Sequence, residues 1–136
     1  MNLLPVSIGL TAAALIAPSS ALAAPLTIRS GESWVFAIER GEPVRARRVS
    51  SSTRPSAGQI KATLVVGMGT TMTLTNNSPL SYAFRAELVG AASVAAGKPR
   101  TCALPPKGVP VLEYWPTKAS AVRISTFKVT SAANCP

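Results

Sequence analysis

Five arginines lie between residues 40 and 54: Arg40, Arg45, Arg47, Arg48 and Arg54. If this segment is a β-strand, Arg45 and Arg47 share one face and Arg48 lies on the other. Adjacent guanidinium groups can hold phosphate or carboxylate groups through paired hydrogen bonds. The pattern therefore predicts a site for an anionic partner at Arg45, Arg47 and Arg48. The alternative is a solvated edge strand whose arginines prevent pairing with another chain.

The charge of the whole chain favours the same class of partner. The sequence has 14 Lys and Arg residues against five Glu residues, which gives a formal net charge of +9. Such a charge attracts lipopolysaccharide, anionic lipid, acidic polysaccharide or an acidic protein. Nucleic acid is not expected, because no aromatic residue lies among the clustered arginines to stack on bases.

The missing residue types exclude much of enzyme chemistry. The chain contains no His, and its acidic residues are all Glu. A Ser-His-Asp or Cys-His site cannot be assembled without histidine, and histidine-based metal sites are excluded as well. We therefore expect a protein that is not an enzyme and that needs no metal or cofactor.

Two weaker candidates for chemistry remain. Met68 and Met72 carry thioethers that could bind Cu(I), but methionine on an apolar strand face is more often core filler. Glu87 and Glu113 could form a pair of catalytic carboxylates only if folding brought them within about 5–10 Å. Nothing in the sequence does so, and surface ion pairs explain each glutamate separately.

Two aromatic residues next to a proline-rich loop form a second candidate contact. Tyr114 and Trp115 follow residues 101–110, which contain three prolines, and Pro116 comes directly after them. An exposed aromatic pair at this position could form an apolar contact patch. The alternative is that both side chains anchor the core or the loop.

The N-terminus is typical of a secretory signal peptide. Residues 3–17 are mostly apolar, and small residues follow, ending in Ala21, Leu22 and Ala23. This order matches an apolar segment with a small-residue cleavage site after Ala23. A buried helix or strand at the start of the domain is the alternative. We expect residues 1–23 to be a signal peptide and residues 24–136 to form one domain, periplasmic or secreted, without a transmembrane span.

Two cysteines fit an oxidising compartment. An even number of cysteines in an exported chain predicts a disulfide, here between Cys102 and Cys135. In the chain-entropy account, closing a loop of this length stabilises the fold by about 3–4 kcal/mol. A redox or metal pair would instead need close spacing such as C-x-x-C.

Short strand patterns occur along most of the remaining chain. Apolar and polar residues alternate in several segments of four to eight residues, separated by turn signals. Residues 33–49 read as a hairpin, and the polar residues 50–58 read as a loop. About seven strands result, with no helix of ordinary length. The pattern predicts an all-β fold, either an antiparallel sandwich or a small barrel, and we expect a single small antiparallel β-sandwich.

One stretch of about fifteen residues resembles immunoglobulin-like domains. Residues 74–78 (LTNNS), followed by Tyr82-x-Phe84, have the strand-turn-strand rhythm of that family. The resemblance implies a sandwich of the immunoglobulin-like type.

These observations predict an exported, non-catalytic binding module of the cell envelope. Arg45, Arg47 and Arg48 would contact an anionic envelope component or an acidic protein, and Tyr114 and Trp115 would add apolar contact. The alternative function is an accessory subunit of a larger extracytoplasmic assembly, docked by strand addition at a sheet edge.

Overall fold

The structure, a computed structural model, describes residues 9, 23–91, 96–97 and 103–131. These residues form strands and turns, and no helix occurs among them. The strands are β1 Leu26–Arg29, β2 Ser33–Glu39, β3 Glu42–Val49, β4 Gln59–Val66, β5 Thr70–Asn77, β6 Tyr82–Val89, β7 Ala96–Gly97, β8 Pro110–Trp115 and β9 Ala121–Val129. The predicted all-β fold is confirmed.

Two antiparallel sheets make up the fold. One sheet has the order β1-β9-β6-β7, in which β7 is only a two-residue ladder, and the other has the order β3-β2-β4-β5-β8. The apolar faces of both sheets contribute to one shared core, as in a β-sandwich. We call the side of the five-stranded sheet that faces away from this core the outer face.

The arginine-bearing strand β3 pairs with β2 in the hairpin that the alternation predicted. Arg40 and Gly41 connect the strands, and both have positive φ angles, 54° and 79°. Positive φ at both positions suits a two-residue hairpin turn, because its twist matches that of the strands. The second strand begins at Glu42, directly after Gly41, so the turn of the predicted hairpin is only two residues long.

A β-bulge interrupts β3 within the arginine cluster. Val35 pairs with Arg47, but the register then shifts, so that both Arg45 and Ala46 stand opposite Phe36. Arg45 has a positive φ of 51°, as the first residue of such a bulge often does. Strict alternation along β3, from which the faces of the arginines were predicted, therefore fails at Arg45.

The connection from β3 to β4, which we call the crossover loop (residues 50–58), lies across the outer face. Both strands run antiparallel to β2 on its two sides, so the chain must pass over β2 to connect them. Lys61 Nζ donates a hydrogen bond to Ser51 O in the loop. Val35 of β2 faces outward with Lys61 and is nevertheless fully buried, because the loop covers it.

The core is closed by an aromatic cluster around Phe127. Its ring centroid lies 5.9 Å from that of Phe36, 6.1 Å from Tyr82 and 5.4 Å from Phe84. Phe36 comes from the five-stranded sheet and the other rings from the four-stranded sheet, so Phe127 joins the two layers. The buried apolar residues around them are Ile28, Ile60, Ala62, Leu64, Met72, Leu74, Ala86, Leu88, Leu104, Ala119, Val122 and Ile124.

A second bulge turns Phe127 inward. Alternation along β9 puts Ile124 and Thr126 on one face, which would leave Phe127 on the other. The register with β6 shifts between Ala83 and Arg85, and Thr126 has a positive φ of 54°. The extra residue at the bulge brings Phe127 onto the same face as Ile124, three residues earlier.

Several predictions lie outside the described residues. Cys102 and Cys135 are among them, so the disulfide stays a prediction, as does the signal peptide for most of residues 1–23. The immunoglobulin-like type of sandwich also stays a prediction. Within the described part of the chain, no helix is long and apolar enough to cross a membrane.

Candidate anion-binding site

Two of the three predicted site arginines lie against glutamates. Arg45 Nη1 lies 3.6 Å from Glu39 Oε2, and Arg48 Nη1 lies 3.7 Å from Glu32 Oε1. No ion pair is found for Arg47 among the described residues. Arg45 and Arg48 therefore carry less free positive charge than the sequence suggested.

Strand register also separates the arginines. Arg48 pairs with Trp34, whose side chain packs against the core, whereas Arg47 pairs with Val35 on the outer face. Directly paired residues in a sheet lie on the same face. Arg47 and Arg48 consequently point to opposite sides of β3, and the three arginines do not form one site.

The outer face supplies Arg47 with a different basic neighbour. Val35 pairs with Arg47 on one side and with Lys61 on the other, so the three residues form a row across β3, β2 and β4. Two strand spacings place the Cα atoms of Arg47 and Lys61 about 10 Å apart. Thr75 of β5 continues the row beyond Lys61.

A cleft of about 440 Å³ lies where the crossover loop meets β4 and β5, and we call it the basic cleft. Two of its lining residues, Arg54 and Lys61, are cationic, and none is acidic. The remaining lining residues are mainly hydroxyl-bearing or small. The full lining is Ser51, Ser52, Thr53, Arg54, Pro55, Lys61, Thr75, Asn77 and Gly108.

Hydrogen bonds hold the crossover loop in place beside the cleft. Ser50 Oγ lies 3.0 Å from both Ser52 Oγ and Thr53 Oγ1, which folds the first turn of the loop. Asn77 Nδ2 donates to Pro55 O at 2.8 Å and so ties the middle of the loop to β5. These contacts fix the cleft wall before any ligand binds, which lowers the entropic cost of binding.

The composition of the basic cleft determines what it can bind. Its hydroxyl and amide groups donate or accept hydrogen bonds, and Arg54 and Lys61 supply positive charge without a carboxylate in the lining. Such a site favours an oxygen-rich anion and gives little to a neutral apolar molecule. Sequence reasoning missed Lys61 and Arg54 as site residues. The alternation of apolar and polar residues in β4 indicated that Lys61 points away from the core, but the β3-β2-β4 strand order could not be predicted from the sequence.

The predicted aromatic pair is divided between the two faces of β8. Tyr114 lies on the outer face, paired with Thr71, and is 51% exposed. Trp115 lies on the inner face and packs against the core. Only Tyr114 can therefore join a surface site, and it shares the outer face with Lys61.

Tyr114 is seated over a glycine. A Cβ atom added to Gly69 would lie 2.8 Å from Tyr114 Oη and 2.9 Å from Tyr114 Cε2, so the ring occupies the space that a side chain would fill. Glycine is required here for close approach rather than for a positive φ. The contact holds the tyrosine ring against the sheet.

The two glutamates considered as a carboxylate pair lie in different surroundings. Glu113 is 2% exposed and lies on the inner face of β8, opposite Met72. Glu87 lies on the other sheet, on its face away from the core, in ion pairs with Arg85 and Arg123. The arrangement does not bring them together. Met68 is 92% exposed on the turn after β4, so its expected place in the core was wrong.

Glu32 gives Arg48 a structural role. Glu32 Oε2 accepts hydrogen bonds from Trp34 Nε1 at 2.9 Å and from the backbone N–H of Arg29 at 3.0 Å. The bond from Trp34 lowers the pKa of Glu32 most, the bond from Arg29 lowers it further, and the charge of Arg48 adds to both. The carboxylate thus joins the β1–β2 turn to β2 and β3.

We expect Glu32→Gln to lower the free energy of unfolding at pH 7 by about 1–2 kcal/mol, because it weakens hydrogen bonds to a charged acceptor. The folded pKa of Glu32 lies below its unfolded value, so its stabilisation is full above the unfolded value, near pH 4.3, and is lost as pH falls through the folded value. The variant should flatten the acid end of the stability curve in urea unfolding.

A matched variant tests whether this effect belongs to Glu32. Glu39→Gln removes one carboxylate from an exposed pair with Arg45 and should cost less than about 0.5 kcal/mol. Some acid dependence should persist in both variants, because a hydrogen bond from Arg123 lowers the pKa of Glu87 as well. Equal losses in the two variants would contradict the role given to Glu32.

Within the described ranges, no group of three or more His, Cys, Asp or Glu residues could hold a metal ion. The chain matches no protein-family model, no curated protein and no solved structure among those compared with it.

Proposed function

We propose that this protein is an exported, non-catalytic module of the cell envelope that binds an anionic partner through the outer face of its five-stranded sheet. One observation carries the proposal. Arg54 and Lys61 line a cleft rich in hydroxyl groups at this face, and Arg47 lies on the same face two strands from Lys61. No ion pair is found for these three cations among the described residues. This revises the site expected from the sequence, in which Arg45 and Arg48 accompanied Arg47.

The proposed location outside the cytoplasm rests on the sequence. The apolar segment at residues 3–17 and the small residues before Ala24 support export by a signal peptide. The pair Cys102 and Cys135 fits an oxidising compartment. An anionic envelope component, or an acidic protein in the same compartment, would then meet the basic face.

Electrostatics explains how such a face would work. The cations are solvent-accessible, so their attraction to an anion is about 1 kcal/mol each at contact and is screened by salt. Affinity therefore comes from several cations acting on a ligand with repeated charges. A high net charge also speeds the encounter with an anionic partner.

The test is to titrate the exported protein, with Ala24 as its expected first residue, with dextran sulfate at low salt. Arg54→Gln/Lys61→Gln removes two charges from the basic cleft, and the affinity should fall about 30-fold, the equivalent of about 2 kcal/mol. Lys118→Gln/Lys128→Gln removes the same charge from exposed positions outside the lining of the basic cleft and should change the affinity less than about threefold.

The two double variants separate a site from diffuse charge. Equal losses in both would contradict the proposal, because any polyanion is attracted to a protein of this charge. We expect the affinity to fall only in Arg54→Gln/Lys61→Gln, and we expect the affinity of this variant to depend less on salt than that of the wild type.

A second candidate function is docking of a partner protein by strand addition at β8, the edge strand of the five-stranded sheet. At the other edge of the sheet, β3 carries arginines, a proline and a bulge, all of which discourage pairing. Strand β8 has a proline only at its first residue, Pro110, and has a regular register with β5. It contains no Lys or Arg and exposes Leu112 and Tyr114. Capture of an extended peptide segment, with an affinity that neither salt nor Arg54→Gln/Lys61→Gln changes, would support this function instead.

A further inference from the structure

We infer that the anionic partner is an acidic polysaccharide whose chain lies across the outer face, from the basic cleft to Tyr114. The inference rests on the proposed function and names the class of ligand for that face. It is carried by three features on one side of one sheet: cations at one end, threonine hydroxyls in the middle and a supported tyrosine ring at the far end.

Strand register gives the length of this path. Lys61 and Val65 lie on the same face of β4, four residues apart, which is about 13 Å. Val65 pairs with Thr71, and Thr71 pairs with Tyr114, so the tyrosine lies two strands further across, about 10 Å. The path from Lys61 to Tyr114 is therefore about 16 Å at the level of the Cα atoms, longer than a single sugar ring.

Hydroxyl groups line the path between the two ends. Thr71, Thr73 and Thr75 follow one another on the outer face of β5, and Thr63 of β4 pairs with Thr73. All four side chains are partly exposed. A sugar chain offers donors and acceptors along its whole length, which suits such a surface, because hydroxyls serve as both.

Tyr114 suits a sugar ring better than it suits a lone anion. Its ring packs over Gly69, so binding costs less side-chain entropy than it would for a tyrosine without such a contact. A half-exposed aromatic ring supplies a flat apolar surface for the C–H face of a sugar, and its hydroxyl can bond to the ring substituents. Exposed Leu112 and Val65 extend the apolar surface beside it.

The same features favour a polysaccharide over a lipid surface. Binding in a membrane interface favours a continuous apolar face that is buried about 5–10 Å into the boundary between headgroups and acyl chains. Here Tyr114, Leu112 and the threonines share the face of one sheet with Lys61, so the polar and apolar groups lie side by side. A long polar chain with spaced carboxylates can contact all of them at once.

The test measures binding of oligogalacturonates of increasing length to the wild type, Tyr114→Ala and Tyr114→Phe. The affinity of the wild type should rise with oligomer length until the oligomer spans the path from Lys61 to Tyr114. This rise should exceed the rise in Tyr114→Ala, in which the added charge of a longer oligomer is the only cause. Tyr114→Ala should lose about tenfold on the long oligomers and less than twofold on the shortest. Tyr114→Phe should stay within about threefold of the wild type, because it keeps the ring.

Controls separate this inference from the proposed function. Neutral dextran should not bind, and vesicles containing anionic phosphatidylglycerol should bind more weakly than the long oligomers. Unchanged binding in Tyr114→Ala, while Arg54→Gln/Lys61→Gln still lowers the affinity about 30-fold, would overturn the polysaccharide path and leave the anion site. Unchanged binding in both Tyr114→Ala and Arg54→Gln/Lys61→Gln would overturn the polysaccharide path and the anion site alike. If the protein binds vesicles more tightly than the long oligomers, and Met68→Ser weakens the binding to vesicles, the ligand of this face is a lipid surface. The thermal unfolding of each variant shows that it is folded.

Discussion

Replacing Phe127 by Ala should lower the free energy of unfolding by about 3–5 kcal/mol. Phe127 is 3% exposed and contacts three aromatic rings, with Phe36 on the opposite sheet. Removal of the ring leaves a cavity between the layers that the flanking strands cannot close fully. For a domain stable by about 5–15 kcal/mol, this loss is a large fraction of the total.

A residue on the same strand provides the control for Phe127. Val129→Ala shortens an apolar side chain that is 62% exposed and should change stability by less than about 0.5 kcal/mol. Urea unfolding, followed by tryptophan fluorescence, gives both values. A loss below about 1 kcal/mol for Phe127→Ala would contradict the account in which this ring joins the two sheets.

Gly69→Ala should lower the free energy of unfolding by about 1–3 kcal/mol, the range for overpacking a tight contact. The added methyl group would meet the backbone O of Trp115 and the ring of Tyr114, and the backbone atom cannot move aside without disturbing the β5–β8 ladder. The substitution should also displace Tyr114 from its place on the outer face. Stability and ligand affinity should therefore fall together.

Gly67→Ala is the matched control, two residues earlier in the same turn. A Cβ atom at Gly67 meets no atom within 4 Å, and its φ does not lie in the region that favours glycine. This substitution should be neutral or stabilise by up to about 1 kcal/mol, because alanine has less freedom in the unfolded chain. Equal destabilisation by the two alanines would contradict the close approach at Gly69.

The local parts of the fold could be predicted from the sequence. Alternation along residues 60–68, 70–75 and 82–88 predicted strands that correspond to β4, β5 and β6 with their inward faces, because one side of each strand is buried. The first of these predictions was too long, since β4 ends at Val66. The bulges at Arg45 and Thr126 could not be predicted. Neither position has a glycine to mark it, and each bulge depends on how a partner strand packs.

The chemistry of the proposed site follows from the sequence, but the residues that form it do not. The count and clustering of the arginines indicated an anionic partner, yet only the β3-β2-β4 order aligns Arg47 with Lys61. The polar residues 50–58 were expected to be a loop, but the path of this loop over β2 depends on which strands flank it. Glu32 and Glu39 lie within ten residues of the cluster, but their pairing with Arg48 and Arg45 depends on hairpin register.

Binding at the outer face can be tested directly by mapping the binding surface with NMR while dextran sulfate is added. We expect the largest amide shift changes at Lys61, Thr75 and Asn77 and along residues 50–58. Ala83 and Lys128, which face away from the core on the four-stranded sheet, should change little. Changes spread evenly over both sheets, or centred on Ala83 and Lys128, would contradict the claim that the outer face is the binding site.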